Sequence, residues 1–193
     1  MSEDPLDRIP WPLRTRRLTI RRATARDAAA VHAYHRKDGV LEWMMYPCSP
    51  WERYREEFAE PSGLAQRLVV ETDGRVVGDL KLAVLDAWAQ EQVRSQAAGT
   101  EAEVGWILDP AVQGQGLATE AMRAVIGAVF EHTRVRRVVA YAFADNVASL
   151  ALMSTLGMRR EALNRRDSLH RTRGWIDGVT YAVLEDEWAD VPR

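Results

Sequence analysis

Apolar residues recur along this chain with two periods, and the places where the period changes mark its elements. Alternation over Thr15–Arg22, with Leu18 and Ile20 on one side, predicts a first strand. Thr24 with Asp27 three residues later reads as a capping box, and Ala28–Arg36 is the helix it starts. Gly39 breaks that helix, and the apolar, aromatic run Val40–Met45 follows it. Ser49-Pro50 opens another helix to about Glu60, proline being tolerated in a first turn. Arg67–Glu71 and Arg75–Leu85 are strands joined at Asp73-Gly74, a strong hairpin signal. Gly78 inside the second of them predicts a bulge or a close approach. Asp86–Thr100 is polar and rich in Ala and Gln, a long loop or insertion of the kind that covers a site or makes subunit contacts.

The most ordered pattern lies between Glu103 and Glu131. Glu103–Leu108 alternates as a strand, with Val104, Trp106 and Leu108 on one face and Glu103, Gly105 and Ile107 on the other. Asp109-Pro110 ends it, because proline has no N–H for a sheet ladder. Gln113-Gly114-Gln115-Gly116 then runs straight into a helix whose apolar stripe is Leu117, Ala121, Met122, Val125, Val129 and Phe130, with Glu120 and Arg123 opposite. Beyond it come a strand at Arg137–Ala142, a helix at Val147–Leu156 capped by Asp145-Asn146 and stopped by Gly157, and a strand at Arg159–Leu169. Arg171–Gly178 is a turn region with Asp177-Gly178 as a hairpin signal, and Val179–Glu187 is the last strand. The order predicts an α/β fold with a mixed, seven-stranded sheet flanked by helices.

Composition narrows the class. A chain of 193 residues with 47% hydrophobic residues fits one domain with a real core. Met1–Leu13, with three prolines and several charges, is expected to be a flexible arm before a single domain at 14–193, with Trp11 able to pin it. The net charge of -2 gives no basic stripe, so nucleic acid is not expected as a partner. No stretch is long and apolar enough for a membrane span, and the acidic N-terminus is no signal peptide. Cys48 is the lone cysteine, which suits a reducing cytoplasm and gives no convincing nucleophile. His32, His35, His132 and His170 lack metal-ligand spacing, so no metal is expected. His170 either lines a site or sits on the surface.

The glycine turn carries the chemistry. A strand, a glycine turn and a helix N-terminus together make an anion site, because the first N–H groups of a helix have no intrahelical acceptor and the dipole is positive there. Two better-known phosphate loops do not fit: Gly116 is followed by Leu117 and Ala118 rather than Lys and Ser/Thr, and Thr119 stands where a dinucleotide fingerprint needs its third small residue. Gln113–Ala118 does resemble the acyl-CoA pyrophosphate loop of the GCN5-related N-acetyltransferases, Gln/Arg-x-x-Gly-x-Gly/Ala, with Gln113, Gly116 and Ala118 in its fixed places. Glu-Val-Gly-Trp-x-Leu-x-Pro before it and Ala-Thr-Glu-Ala after it look like the branch that acetylates ribosomal-protein N-termini. The resemblance covers about Arg14–Trp188.

That resemblance implies the acyl-CoA N-acyltransferase fold, with a mostly antiparallel sheet whose strands before and after the central helix splay apart. It implies acetyl-CoA as co-substrate, held at Ile107, Leu108, Gln113, Gly114, Gln115, Gly116, Leu117, Ala118, Thr119, Asn146 and Ser149. The acceptor is a primary amine, which must lose a proton before it attacks. Glu103 is the first choice of base, with Asp167 and Glu161 as alternatives. The branch carries a Glu near position 168, where this chain has Ser168. Ser149 is the candidate acid for the thiolate, since the Tyr that many relatives place four residues later is Met153 here. Trp43, Met44, Met45, Asp167 and Trp175 are the candidate acceptor wall. A homodimer is the family expectation. A succinyl-CoA or other acyl-CoA transferase of the same fold, and a non-catalytic CoA-binding sensor, are the alternative readings.

Overall fold

A computed structural model describes residues 4–46 and 48–190; Met1–Glu3, Pro47 and Val191–Arg193, part of the expected arm and domain, lie outside the described residues. Among the described residues eight strands are present: β1 (Leu13–Arg14), β2 (Thr19–Arg22), β3 (Arg67–Thr72), β4 (Arg75–Leu85), β5 (Glu101–Leu108), β6 (Arg137–Phe143), β7 (Arg159–His170) and β8 (Gly174–Leu184). They form one sheet in the order β1-β2-β3-β4-β5-β6-β8-β7. The helices are α1 (Ala28–His35), α2 (Asp38–Leu41), α3 (Trp51–Ala59), α4 (Pro61–Ala65), α5 (Arg94–Ala97), α6 (Leu117–His132), α7 (Val147–Thr155) and α8 (Glu185–Trp188). The mixed, mostly antiparallel sheet flanked by helices is the fold the sequence predicts. The chain divides into two compact units, Met1–Ile9 with Ala83–Val104 and Ile126–Arg193, and Pro10–Leu82 with Gly105–Val125.

In the second unit, β2, β3 and β4 form an antiparallel meander. The eighth strand arises here. Thr15–Arg22 is not one strand: Thr15–Leu18 is the turn of a hairpin, closed by the Leu18 N–H to Thr15 Oγ1 (3.0 Å) and the Thr15 N–H to the Leu18 carbonyl (3.0 Å), which folds β1 back on β2. The capping box at Thr24 is present: the Thr24 N–H donates to Asp27 Oδ2 at 2.7 Å. Helix α1 stops at His35, ahead of Gly39, which lies inside α2. A core of Ala28, Val31, Tyr34, Tyr54, Phe58 and Val69 packs α1 and α3 on the sheet. Asp79 is buried beside it and accepts the Tyr34 hydroxyl at 2.8 Å, with His35 Nε2 at 2.7 Å and the Tyr54 hydroxyl 3.1 Å from His35 Nδ1. Burial, then the Asp79 charge, raises both tyrosine hydroxyls, so they remain donors.

The hairpin at Asp73-Gly74 forms with both residues at positive φ (49° and 74°). Gly78 fulfils both of its predicted roles. The β3–β4 register slips by one residue there, pairing Val70 with Gly78 but Glu71 with Val76. A Cβ at Gly78 would lie 2.8 Å from the Ile107 carbonyl oxygen and 3.0 Å from Leu108 Cγ.

In the first unit, β6 pairs with β8 along its whole length and with β5 in parallel over Glu101–Glu103 against Arg137–Val139. Ala102, Val138, Val139, Met153, Leu156, Ala182 and Val183 are its fully buried centre. The part of the N-terminal arm that is described, far from loose, is packed: Leu6 and Ile9 are buried, and Asp4 caps a 3-10 turn at Pro5–Arg8. The 86–100 segment holds a 3-10 turn and α5, and its neck is closed by Ala87 N–H to the Ala97 carbonyl (3.0 Å) and Gly99 N–H to Asp86 Oδ1 (2.8 Å). Asp177-Gly178 is not the turn of the last hairpin. That turn is Arg171–Arg173, closed by Gly174 at φ 72°, and Asp177-Gly178 lies inside β8 opposite a bulge in β7. The last strand therefore starts and ends earlier than expected, and α8 follows it.

Two glycine substitutions should move stability in opposite directions. Gly78→Ala forces β4 against backbone and should cost about 1–3 kcal/mol. Gly39→Ala meets nothing within 4 Å inside a helix and should be neutral or stabilising by up to about 1 kcal/mol. Denaturant midpoints of the two variants check both signs.

Candidate functional site

The glycine turn between β5 and α6 is held from several sides within one unit. Where β5 ends, the Asp109 N–H donates to the Val77 carbonyl at 2.8 Å, and Asp109 Oδ1 accepts from the Ala111 N–H at 3.0 Å and from Lys37 Nζ at 2.5 Å. Burial pushes this carboxyl up, but the Lys37 bond and the Ala111 N–H outweigh it and hold Asp109 below its usual range. Gln113 turns its side chain inward, donating Nε2–H to the Leu108 carbonyl at 2.9 Å. Its expected place in the motif is therefore that of a strut which closes the turn.

Gly114 and Gly116 both have positive φ, 75° and 73°. No side chain crowds them; it is the left-handed backbone that demands glycine. All four residues Gln113–Gly116 are exposed, while Leu117 is buried and anchors the helix. The first backbone bond across the turn is Glu120 N–H to the Gly116 carbonyl at 3.1 Å. The N–H groups of Leu117, Ala118 and Thr119 thus start α6 without intrahelical acceptors, aligned with the dipole of a 16-residue helix.

Sequence reasoning missed what clamps this turn. Arg17 donates Nη1–H to the Gln115 carbonyl (2.9 Å) and Nε–H to Glu120 Oε2 (2.7 Å), and its own N–H to Glu120 Oε1 (2.9 Å). Thr15 Oγ1 donates to the same oxygen at 2.6 Å. Glu120 is pushed up by burial and pulled further down by Thr15 and Arg17, so it lies below its usual range. Nothing in the alternation around Thr15–Arg17 marks the pair, because their partner is over a hundred residues away.

The remaining candidates on the β5–β6 side lie in the other unit. Glu103 is half-buried at the last pair of the β5–β6 ladder. The exposed Tyr141 on β6 has its hydroxyl raised by burial and then by the charges of Glu101 and Glu103. Asn146 caps α7, its Oδ1 accepting the Ser149 N–H at 3.1 Å, and Ser149 is half-buried there. Met153, standing where relatives place a Tyr, is fully buried core. Of the two alternative bases, Glu161 is ion-paired with Arg137 and Arg159, whereas Asp167 is exposed and accepts the Ser168 hydroxyl at 2.8 Å.

Trp175 is 61% exposed and lines, with Arg166, an open depression on the surface. In the second unit Trp43 and Met44 are half-buried and Met45 is 77% exposed. Cys48 packs against the aromatic cluster, and burial pushes its thiol up. His170 is not on the surface: it is 3% exposed, its ring 5.3 Å from that of Phe143. Among the described residues no three His, Cys, Asp or Glu side chains gather to hold a metal, and no helix is long and apolar enough to cross a membrane.

Residues 17–159 match the family model described as the acetyltransferase (GNAT) domain. The chain is similar to the uncharacterized N-acetyltransferase YnaD of Bacillus subtilis, 34% identical over 86 residues, which are 45% of this chain and 50% of that relative. It thus spans half the length of YnaD. Among solved structures it is similar to a GNAT-family acetyltransferase from Bacillus anthracis, with a TM-score of 0.76 at 26% identity over 90% of this chain and 98% of that one. It also shares the fold of RimL, a ribosomal L7/L12 alpha-N-protein acetyltransferase solved with coenzyme A, at a TM-score of 0.76 and 19% identity over 91% and 98% of the two chains.

Acid should loosen this turn. Glu120 and Asp109 are held below their usual values, so the stability they contribute is complete above the unfolded pKa of about 4 and is lost as pH falls through the folded one. Melting temperature should fall on acidification from about pH 6 to about pH 3.5, and Glu120→Gln should be less stable at pH 6 with a shallower acid slope.

Proposed function

The chain belongs to the GNAT acetyltransferase family, whose members are acyl-CoA-dependent N-acetyltransferases, and on that footing we propose that it transfers an acetyl group from acetyl-CoA to a primary amine by direct attack in a ternary complex. The observation that carries this reading is the exposed turn at Gly114 and Gly116, left-handed at both glycines and opening a long helix. Backbone N–H groups from Gly114 to Thr119 take the diphosphate of coenzyme A, with the helix dipole adding to their field. Gln113, whose side chain holds the turn shut, supports that grip from behind. Ile107 and Leu108 at the end of β5 present backbone to the pantetheine arm, and Asn146, which caps α7, turns its side-chain amide toward the pantetheine amides.

The chemistry needs a neutral amine, a place for the developing oxyanion and a proton for the thiolate. Glu103 takes the proton from the ammonium, directly or through water, at the point where the β5–β6 ladder ends. The family's splayed strands are consistent with that ladder covering three residues of each strand. With Glu161 tied to two arginines, Asp167 is the stronger second choice of base. Ser149, at the start of α7, returns a proton to the leaving thiolate; Met153 has no proton to give.

Trp43, Met44, Met45, Asp167 and Trp175 contact the acceptor, which is an amine on a small molecule or a protein N-terminus. Residues 14–193 act as one catalytic domain, in the cytoplasm and as a homodimer. A reducing compartment suits the lone Cys48, and the exposed 86–100 segment with Trp88 suits a subunit contact.

Release of free thiol from acetyl-CoA in a screen of primary amines tests the reading. Glu103→Gln should lower kcat by about a hundredfold or more, with the dissociation constant for acetyl-CoA unchanged. Full activity in that variant removes Glu103 from the mechanism. Absence of thiol release with every amine, while coenzyme A still binds, makes the protein a sensor module instead.

A further inference from the structure

The β7–β8 ribbon carries a second constructed feature, and it deepens the proposed function by bearing on the substrate. Asn164 pairs with Gly178 and Ser168 with Ile176, so three residues, Arg165–Asp167, bulge out opposite the single residue Asp177. Arg166 sits at the crest with φ 52°, a left-handed conformation that is unfavourable for a non-glycine residue and persists when its surroundings impose it. The surroundings here do so. Asp177 Oδ1 accepts the Arg166 N–H at 2.9 Å, and its Oδ2 lies 3.2 Å from Arg165 Nη1. Gly178 leaves room for the Asp167 carboxylate: a Cβ there would stand 2.5 Å from Asp167 Oδ1 and 2.8 Å from Ser168 Oγ.

The charges around this crest are not equivalent. Arg165 is paired with Asp177, and Arg173 lies 3.4 Å from Asp145. The Asp167 carboxylate takes the Ser168 hydroxyl and lies over Gly178. Arg166 has no carboxylate partner among the described residues. Arg166 instead lines, with the exposed Trp175, an open depression on the surface of the ribbon. A guanidinium offers a planar fork that matches a carboxylate, and an indole gives the neighbouring apolar surface.

We propose that Arg166 and Trp175 form a subsite for a substrate carboxylate, with the β7 bulge built to aim Arg166 at it. The proposal rests on the acyltransferase reading for the word substrate, but not for the binding itself. A carboxylate can reach the site from the acceptor, as in an amino acid or acidic peptide, or from a dicarboxylic acyl donor.

Calorimetry separates the sources without turnover. The acceptor arm compares N-acetyl-L-phenylalanine and N-acetyl-L-glutamate with their carboxamides in the presence of coenzyme A. The donor arm compares succinyl-CoA with acetyl-CoA. In one arm the acid should bind about tenfold or more tighter than its neutral counterpart, as expected for a charge-assisted pair. Arg166→Ala should abolish that preference, Arg166→Lys should keep part of it, and Arg171→Ala, an exposed arginine in the same hairpin, should leave it intact. Loss in the acceptor arm identifies an acidic acceptor, and loss in the donor arm an acidic acyl group. No preference in either arm, or one that survives Arg166→Ala, overturns the subsite. Thiol release from acetyl-CoA with neutral amines tests the acyltransferase reading separately, so either idea can fail alone.

Discussion

The proposed function depends on the turn before α6, where Gly114 and Gly116 both hold the backbone at positive φ. Two residues at positive φ within three positions make the turn before α6 entropically costly, and the first N–H groups of α6 have no intrahelical acceptor. The Arg17–Glu120 pair meets that cost. Glu120 gathers the Arg17 and Thr15 donors, and Arg17 then reaches the Gln115 carbonyl in the middle of the turn. Gln113 and Asp109 fix the near side. The turn is therefore held by the chain's own side chains, and an ordered array of donors loses less entropy on binding an anion than a floppy one.

The same logic recurs in the β7–β8 ribbon. In β7 an unfavourable backbone at Arg166 is stabilised by a carboxylate from the neighbouring strand, and a glycine on that strand makes room for the bulge. Gly78 does comparable work in β4, where a one-residue slip and a close approach to Ile107 coincide. Each of these glycines is required for a distinct reason: φ at Gly114 and Gly116, space at Gly78 and Gly178. A substitution scan that treated them alike would miss the difference.

What the sequence made legible were features with local periods. Alternation and helical spacing located most strands and the long helix, and the six stripe residues of α6 named from spacing are all buried. Asp73-Gly74, the Thr24 capping box and Gly157 were readable because each device is complete within four residues. Asp177-Gly178 misled for the same reason: the dipeptide has a turn's composition, but its partner is a bulge on another strand. The hairpin hidden in Thr15–Arg22 and the burial of Leu6, Ile9 and His170 depend on tertiary packing that no window of sequence contains. At the site, the glycine turn and its helix were legible, whereas the Arg17–Glu120 clamp was not, since it joins residues 103 apart. The polar cluster of Tyr34, His35, Tyr54 and Asp79 escaped notice likewise.

The central claim is that main-chain donors at this turn hold the diphosphate of coenzyme A, and calorimetry tests it most directly. The account predicts that coenzyme A binds the intact protein while pantetheine, which lacks the diphosphate, binds far more weakly. Gly116→Val should abolish the difference without unfolding the chain. Equal binding of the two compounds, or coenzyme A affinity unchanged by Gly116→Val, would contradict it.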